Sequence, residues 1–180
     1  DAPLSRVEAL DAAERRTLLE EWSGIAATTR DYGSVADGFA AQAALTPAAP
    51  AVVFGSERIE YRDLERASAC LAHRLRRQGV RRGDRVGLFG RRCVAPVIAT
   101  LGIVRAGAAY VPLDPGHPPD RLRFMMQDAA CSALVACADP PAELLTAVPH
   151  VLYLDDDDPP VDGAMVALAG GDAAYAMYTS

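Results

Sequence analysis

Nucleophiles and general bases are few in this chain, and their placement excludes most of the chemistry they could support. The 180 residues hold three histidines, His73, His117 and His150, and four cysteines, Cys70, Cys93, Cys131 and Cys137. The histidines fall in separate predicted elements, with no spacing that would let them share a metal ion or activate a hydroxyl. The cysteines lack the short paired spacing of a zinc site. Cys70 and Cys131 stand among apolar neighbours, so reduced, buried thiols of a cytosolic protein are expected. All 18 basic residues are arginine, which removes Schiff-base chemistry and a lysine acid catalyst from this sequence. Asp155 to Asp158 is a run of like charges followed by Pro159-Pro160. A calcium loop spaces its ligands and bends at a glycine, so an open solvated loop is expected there instead of a metal site. Tyr178-Thr179-Ser180 puts hydroxyls at the end of a predicted strand, which by residue type alone is most simply a plain strand end. In α/β folds ligands bind beyond such strand ends, where hydroxyl and backbone N–H groups can face phosphate oxygens.

Charge narrows the partners. The net charge of −6 is divided unevenly, with arginine dense from Arg58 to Arg92 and acids without arginine from Asp139 onward. The acidic end argues against a nucleic-acid surface. Arg74, Arg76, Arg77, Arg81 and Arg82 cluster at a predicted helix end, where cations favour the dipole and solvent. Hydrophobic residues make up 51% of the chain and charged ones 23%, an ordinary globular balance, and no apolar run reaches the ~18 residues of a membrane span.

The elements that must position these groups follow from periodicity and punctuation. Asp11-Ala12-Ala13-Glu14 is a capping-box pattern, and Leu18, Leu19 and Trp22 give an apolar stripe before Ser23-Gly24. Gly24 to Gly33 lacks periodicity and reads as linker. Ser34, with Asp37 three residues on, starts a helix presenting Val35, Phe39 and Ala43 until Thr46-Pro47. Residues 51–54 and 58–61 flank Gly55-Ser56-Glu57 as a hairpin. A helix from Arg62 to Gln78 places Leu64, Ala67, Leu71 and Leu75 on one face and ends at Gly79.

Arg85 to Phe89 is then a strand, Val97 to Val104 lies in a helix with Pro96 in its first turn, and Gly107 hands that helix to the strand Tyr110 to Leu113. Pro112 cannot donate to a ladder, so this last strand belongs at a sheet edge or stops early. Gly87 and Gly90 have the wrong spacing for a dinucleotide fingerprint. Gly116 to Asp120 is a turn, with His117 on the surface, before a helix that points Leu122, Met125, Met126 and Ala129 inward. Ser132 to Ala136 reads as a strand, Pro141 to Ala147 as a helix, Val151 to Leu154 as a strand, and Asp172 to Met177 as the last strand.

The joint Arg105-Ala106-Gly107-Ala108-Ala109-Tyr110-Val111-Pro112-Leu113-Asp114-Pro115 resembles the second core motif of the amino-acid adenylation domains of nonribosomal peptide synthetases. Ile59-Glu60-Tyr61-Arg62-Asp63-Leu64 is similar to the first core motif, with Glu60 where a Thr or Ser N-cap is usual. Pro118 to Asp128 resembles the helix after the second motif, with His117 in place of a more usual Tyr. Ala174 to Ser180 resembles the start of the third. The resemblance runs from about Ser34 to the last residue. It implies a layered α/β sandwich with βαβ units, the N-terminal part of the large subdomain of an adenylate-forming enzyme, over residues 34–180. Residues 1–33 are similar to the linker, with a short docked helix, that follows a condensation domain.

The implied reaction joins an amino acid and ATP, with Mg²⁺, into an aminoacyl adenylate and pyrophosphate. The acyl group then passes to the phosphopantetheine thiol of a peptidyl carrier domain. The resemblance also implies an upstream condensation domain, a small MbtH-like helper protein and a cytoplasmic setting, with neither nucleic acid nor membrane as partner. By it, Thr179 and Ser180 open the loop that holds the β- and γ-phosphates. No catalytic residue falls within the chain, since the lysine, adenine-binding and substrate-selecting residues of the family lie downstream. The chain begins without methionine and stops inside the third motif, so a piece of a longer polypeptide, silent on its own, is expected. Two other readings remain open at this point: an acyl-CoA or fatty-acid ligase, and a non-catalytic docking domain between modules.

Overall fold

The computed structural model describes residues 10–22, 33–154 and 168–179. They fall into two compact units, one within residues 1–32 and one within residues 33–180. The run Asp155 to Asp158, Ser23-Gly24 and Ser180 lie outside the described residues.

In the first unit, α1 (Ala12–Arg16) continues as a turn of π-helix (Thr17–Glu21). Asp11 accepts the N–H groups of Ala13 and Glu14 at 2.7 and 2.8 Å, and Glu14 reaches back to the Asp11 N–H at 3.0 Å. This is the reciprocal cap expected from the sequence. Leu10, Leu18, Leu19 and Trp22 are all exposed.

The second unit opens with α2 (Val35–Leu45), capped by Ser34 through the Asp37 N–H at 3.1 Å. The hairpin of β1 (Pro50–Phe54) and β2 (Glu57–Glu60) turns on two residues instead of three, because Glu57 already pairs with Phe54. Gly55 takes φ 60°, the left-handed conformation a tight hairpin needs. Helix α3 (Tyr61–Arg77) begins at Glu60, whose side chain makes no cap and pairs with Arg62 at 2.7 Å.

Next come β3 (Arg85–Phe89), α4 (Ala95–Arg105), β4 (Ala109–Leu113), α5 (Pro119–Asp128), β5 (Ala133–Ala136), α6 (Ala142–Leu145) and β6 (Val151–Tyr153). Four strands form one parallel sheet in the order β4-β3-β5-β6. Pro112 sits in β4 at the sheet edge, as its missing N–H requires.

Side chains alternate across this sheet with period two. Val86, Leu88, Ala133 and Val135 pack with Leu71, Leu75, Ala99 and Ile103 of α3 and α4 on one face. Phe89, Val111, Leu113 and Leu134 pack with Leu122, Met125 and Met126 of α5, and with Leu144, on the other. Gly87 falls on that second face, where a Cβ would lie 2.4 Å from Met126 Sδ. A Cβ on Gly90 would meet the Cys137 Cβ at 2.8 Å, and one on Gly102 would meet Leu71 at 2.7 Å. These glycines serve close packing.

Three helices end in the same way. After α3 the Val80 N–H donates to the Leu75 carbonyl and Gly79 to Arg76; after α4 the Ala108 N–H donates to Ile103 and Gly107 to Val104. Gly79 and Gly107 have φ of 90° and 89°, the left-handed residue of a Schellman ending. After α5 the Cys131 N–H donates to Met126 and Ala130 to Gln127, with Ala130 itself at φ 49°. An alanine holds the left-handed position here, and punctuation by glycine gave no sign of it.

Candidate functional site

The expected last strand does not form. Residues 168–179 run along the outside of β4 and make a single bridge, Tyr110 to Tyr175. The Tyr110 N–H donates to the Ala174 carbonyl, and the Ala176 N–H donates to the Tyr110 carbonyl, both at 3.0 Å. The reason lies in β4. Alternate residues of a strand face the same neighbour, so the groups beside Tyr110 on this edge belong to Ala108 and Pro112. The Ala108 N–H is taken by Ile103 in the helix ending, at 3.2 Å, and Pro112 has none. A ladder therefore stops at one residue.

Side chains hold this strap where the ladder cannot. Arg82 grips Asp172 with two parallel bonds, Nε to Oδ2 at 2.9 Å and Nη2 to Oδ1 at 2.8 Å. Asp172 also accepts the Ala169 N–H at 2.9 Å. The bond from Arg82, then that from Ala169, hold the Asp172 carboxyl below its ordinary range, and Asp172 raises Arg82 in turn. The Tyr110 and Tyr175 rings stand 5.9 Å apart. Further along, the Tyr178 hydroxyl donates to Asp128 Oδ2 at 2.6 Å, and its ring meets Phe124 edge-on at 6.4 Å. Desolvation, then the bond to Asp128, push the Tyr178 phenol up to about 12, so it remains a neutral donor at any physiological pH.

Ala174, Ala176 and Tyr178 are half-buried while Tyr175, Met177 and Thr179 are exposed, so the strap is extended even without a ladder. Thr179 is the last described residue and presents an exposed hydroxyl directly after the Tyr178 anchor. A neutral hydroxyl can donate to an anionic oxygen. Among the described residues no group of three or more His, Cys, Asp or Glu side chains is arranged to hold a metal.

No disulfide joins the four cysteines, of which Cys70 and Cys131 are buried and Cys93 and Cys137 half-buried. Burial pushes the Cys131 thiol up to about 11 and, with Cys93 nearby, the Cys137 thiol up to about 12, far from the thiolate a nucleophile needs. His117 is half-buried in its turn, more enclosed than the surface position expected, beside Asp114, which accepts the Gly116 N–H at 2.8 Å.

The sequence reading missed two groups. Arg82, taken for part of a solvated basic face, is the strap's partner. Arg105, read only as part of a motif, is buried and forks onto the Glu65 carboxylate through Nη1 and Nη2, with a further bond from Nη1 to Ser68 Oγ at 3.0 Å. An arginine in the last turn of an otherwise apolar helix was the available signal.

The family profile described as AMP-binding enzyme matches residues 39–180. The chain belongs to the AMP-binding enzymes. It is 36% identical over 180 residues to tyrocidine synthase 2 of Brevibacillus parabrevis, covering 98% of this chain and 5% of that protein. It is 32% identical over 187 residues to bacitracin synthase 1 of Bacillus licheniformis, covering 100% of this chain and 4% of that one. The chain thus spans a small part of the length of these relatives. Among solved structures it resembles the nonribosomal peptide synthetase FmoA3 in its AMPPNP-bound form, with a TM-score of 0.71 and 31% identity over 81% of this chain and 16% of that one. VinN in complex with L-aspartate gives 0.72 and 25% over 82% and 41%. The layered α/β fold expected of an adenylate-forming large subdomain is the one found. The AMP-binding enzymes use ATP, and among the described residues no helix is long and apolar enough to cross a membrane.

Proposed function

We propose that this chain is part of an adenylation domain that activates an amino acid with ATP and Mg²⁺ as its aminoacyl adenylate, for loading onto a carrier-domain phosphopantetheine. The match across residues 39–180, with peptide synthetases similar along 98% of the chain, carries this reading. Thr179, with Ser180 after it, begins the phosphate-holding loop, and the exposed hydroxyl after an anchored tyrosine supports that role. Neutral hydroxyls and backbone N–H groups there stabilise pyrophosphate charge without taking part covalently.

In the same reading, residues 1–33 are the linker after a condensation domain and residues 34–180 the start of the large subdomain. The exposed Leu10, Leu18, Leu19 and Trp22 beside α1 are what a helix docking on a neighbouring domain requires. A cytoplasmic location and a small MbtH-like helper belong to the proposal as well. The test is ATP–pyrophosphate exchange by the full-length polypeptide with a panel of amino acids and fatty acids. Exchange that depends on an amino acid is expected; dependence on a fatty acid favours the ligase reading, and no exchange with any substrate favours a docking domain.

A further inference from the structure

From the contact between Tyr178 and Asp128 we infer that Asp128 is a positioning residue for ATP, acting through Tyr178 on the strap that carries Thr179. The inference rests on the adenylation reading above. Asp128 is the final residue of α5, where the negative end of the helix dipole disfavours an anion. A carboxylate there gains nothing for the helix. Its Oδ2 instead accepts the Tyr178 hydroxyl at 2.6 Å, within the range of a charge-assisted O–H···O⁻ bond.

The backbone cannot do this work. The strap meets β4 at Tyr110 alone, since Pro112 offers no donor, and the bridge lies three residues before Tyr178. Between Ala176 and Thr179 the Tyr178 side chain is the strap's hold on the rest of the fold: its ring packs on the apolar cluster around Met125 and meets Phe124 edge-on, and its hydroxyl bonds Asp128 and approaches the Met125 carbonyl at 3.4 Å. Phe124 is exposed, so its ring steers weakly. The hydroxyl bond is directional and short. It sets the rotation of the backbone at residue 178 and therefore where the Thr179 hydroxyl is presented. Loss of the bond leaves the ring packed but removes its directional anchor, with α5 and the sheet intact, so ATP binding suffers before stability does.

The test is pyrophosphate exchange and binding of a non-hydrolysable ATP analogue by the full-length polypeptide, unaltered and as Tyr178→Phe, Asp128→Ala, Asp128→Asn and the Tyr178→Phe/Asp128→Ala double variant. Tyr178→Phe and Asp128→Ala should each raise the ATP KM and the analogue Kd about tenfold, the size of one hydrogen bond to a charged group, with kcat and the amino-acid KM within about twofold. The double variant should be no worse than either single one, because both remove the same bond. Asp128→Asn should recover most of the affinity, since its amide oxygen still accepts the phenol. If Asp128→Ala fails to fold, Tyr178→Phe still decides, as it removes one oxygen from a half-buried edge. An unchanged ATP KM, additive single effects, or losses that follow melting temperature overturn the inference while wild-type exchange persists. Absence of exchange in the unaltered polypeptide overturns the adenylation reading, and this inference with it.

Discussion

Strands β3 and β5 pair with neighbours on both sides and bury almost every side chain, whereas residues 168–179 meet the sheet at one bridge and depend on side-chain contacts. The first arrangement is redundant. Removing any one contact leaves ladders on both sides and two apolar layers. The strap has no such reserve, because the edge it lies on is nearly out of donors. Rigidity sits in the sheet, while Thr179, which we propose faces phosphate, sits where the backbone is held by a single bridge. The contrast separates what stability measurements should see from what ligand measurements should see.

The largest stability effect belongs to the buried guanidinium. Glu65→Ala leaves Arg105 buried without its carboxylate and should lower unfolding free energy by about 3 kcal/mol, read by urea titration. A loss under about 1 kcal/mol would show that the α3–α4 pairing rests on apolar contact alone. Gly87→Ala drives a methyl into Met126, Leu113 and Leu134 and should cost about 2 kcal/mol; a neutral melt would mean that Met126 can move aside freely.

Gly107→Val forces a β-branched residue into φ 89° and should cost about 1–3 kcal/mol, more than an ordinary helix-end change. No change in melting temperature would contradict the helix ending described above.

The smallest effect lies on the strap. The Asp172 carboxyl is held below its ordinary range by Arg82, so its contribution is fully present above the unfolded aspartate pKa of about 3.9 and is lost as pH falls through the lower folded value. Arg82→Ala should move the Asp172 titration, followed by carboxyl-carbon NMR, back toward about 3.9 with little change in melting temperature. A melting shift as large as that of Glu65→Ala would erase the distinction between sheet and strap.

Much of this was legible beforehand. Gly79 and Gly107 marked their helix ends, Ser34 and Asp11 their helix starts, and Pro112 the sheet edge, because each rule is local and involves a residue with one strong conformational preference. Ala130 was not legible, since its left-handed backbone is imposed by the packing of α5 and β5 against an alanine's own preference. The strap was misread as a strand for a related reason. Alternating burial from Asp172 to Tyr178 has strand period, yet pairing depends on the free donors of a partner far away in sequence. Arg82–Asp172 and Tyr178–Asp128 are long-range contacts that no window of sequence encodes. Of the candidate site, the residue types were readable at Thr179 and Ser180, and the means of presenting Thr179 were not.

Amino-acid-dependent ATP–pyrophosphate exchange by the full-length polypeptide, compared with its Thr179→Ala variant, bears most directly on the claim that the strap delivers a phosphate-holding hydroxyl. The account predicts exchange in the unaltered protein and a fall of at least about tenfold in kcat/KM for ATP in the variant, with melting temperature unchanged. Full exchange by the Thr179→Ala variant would contradict it.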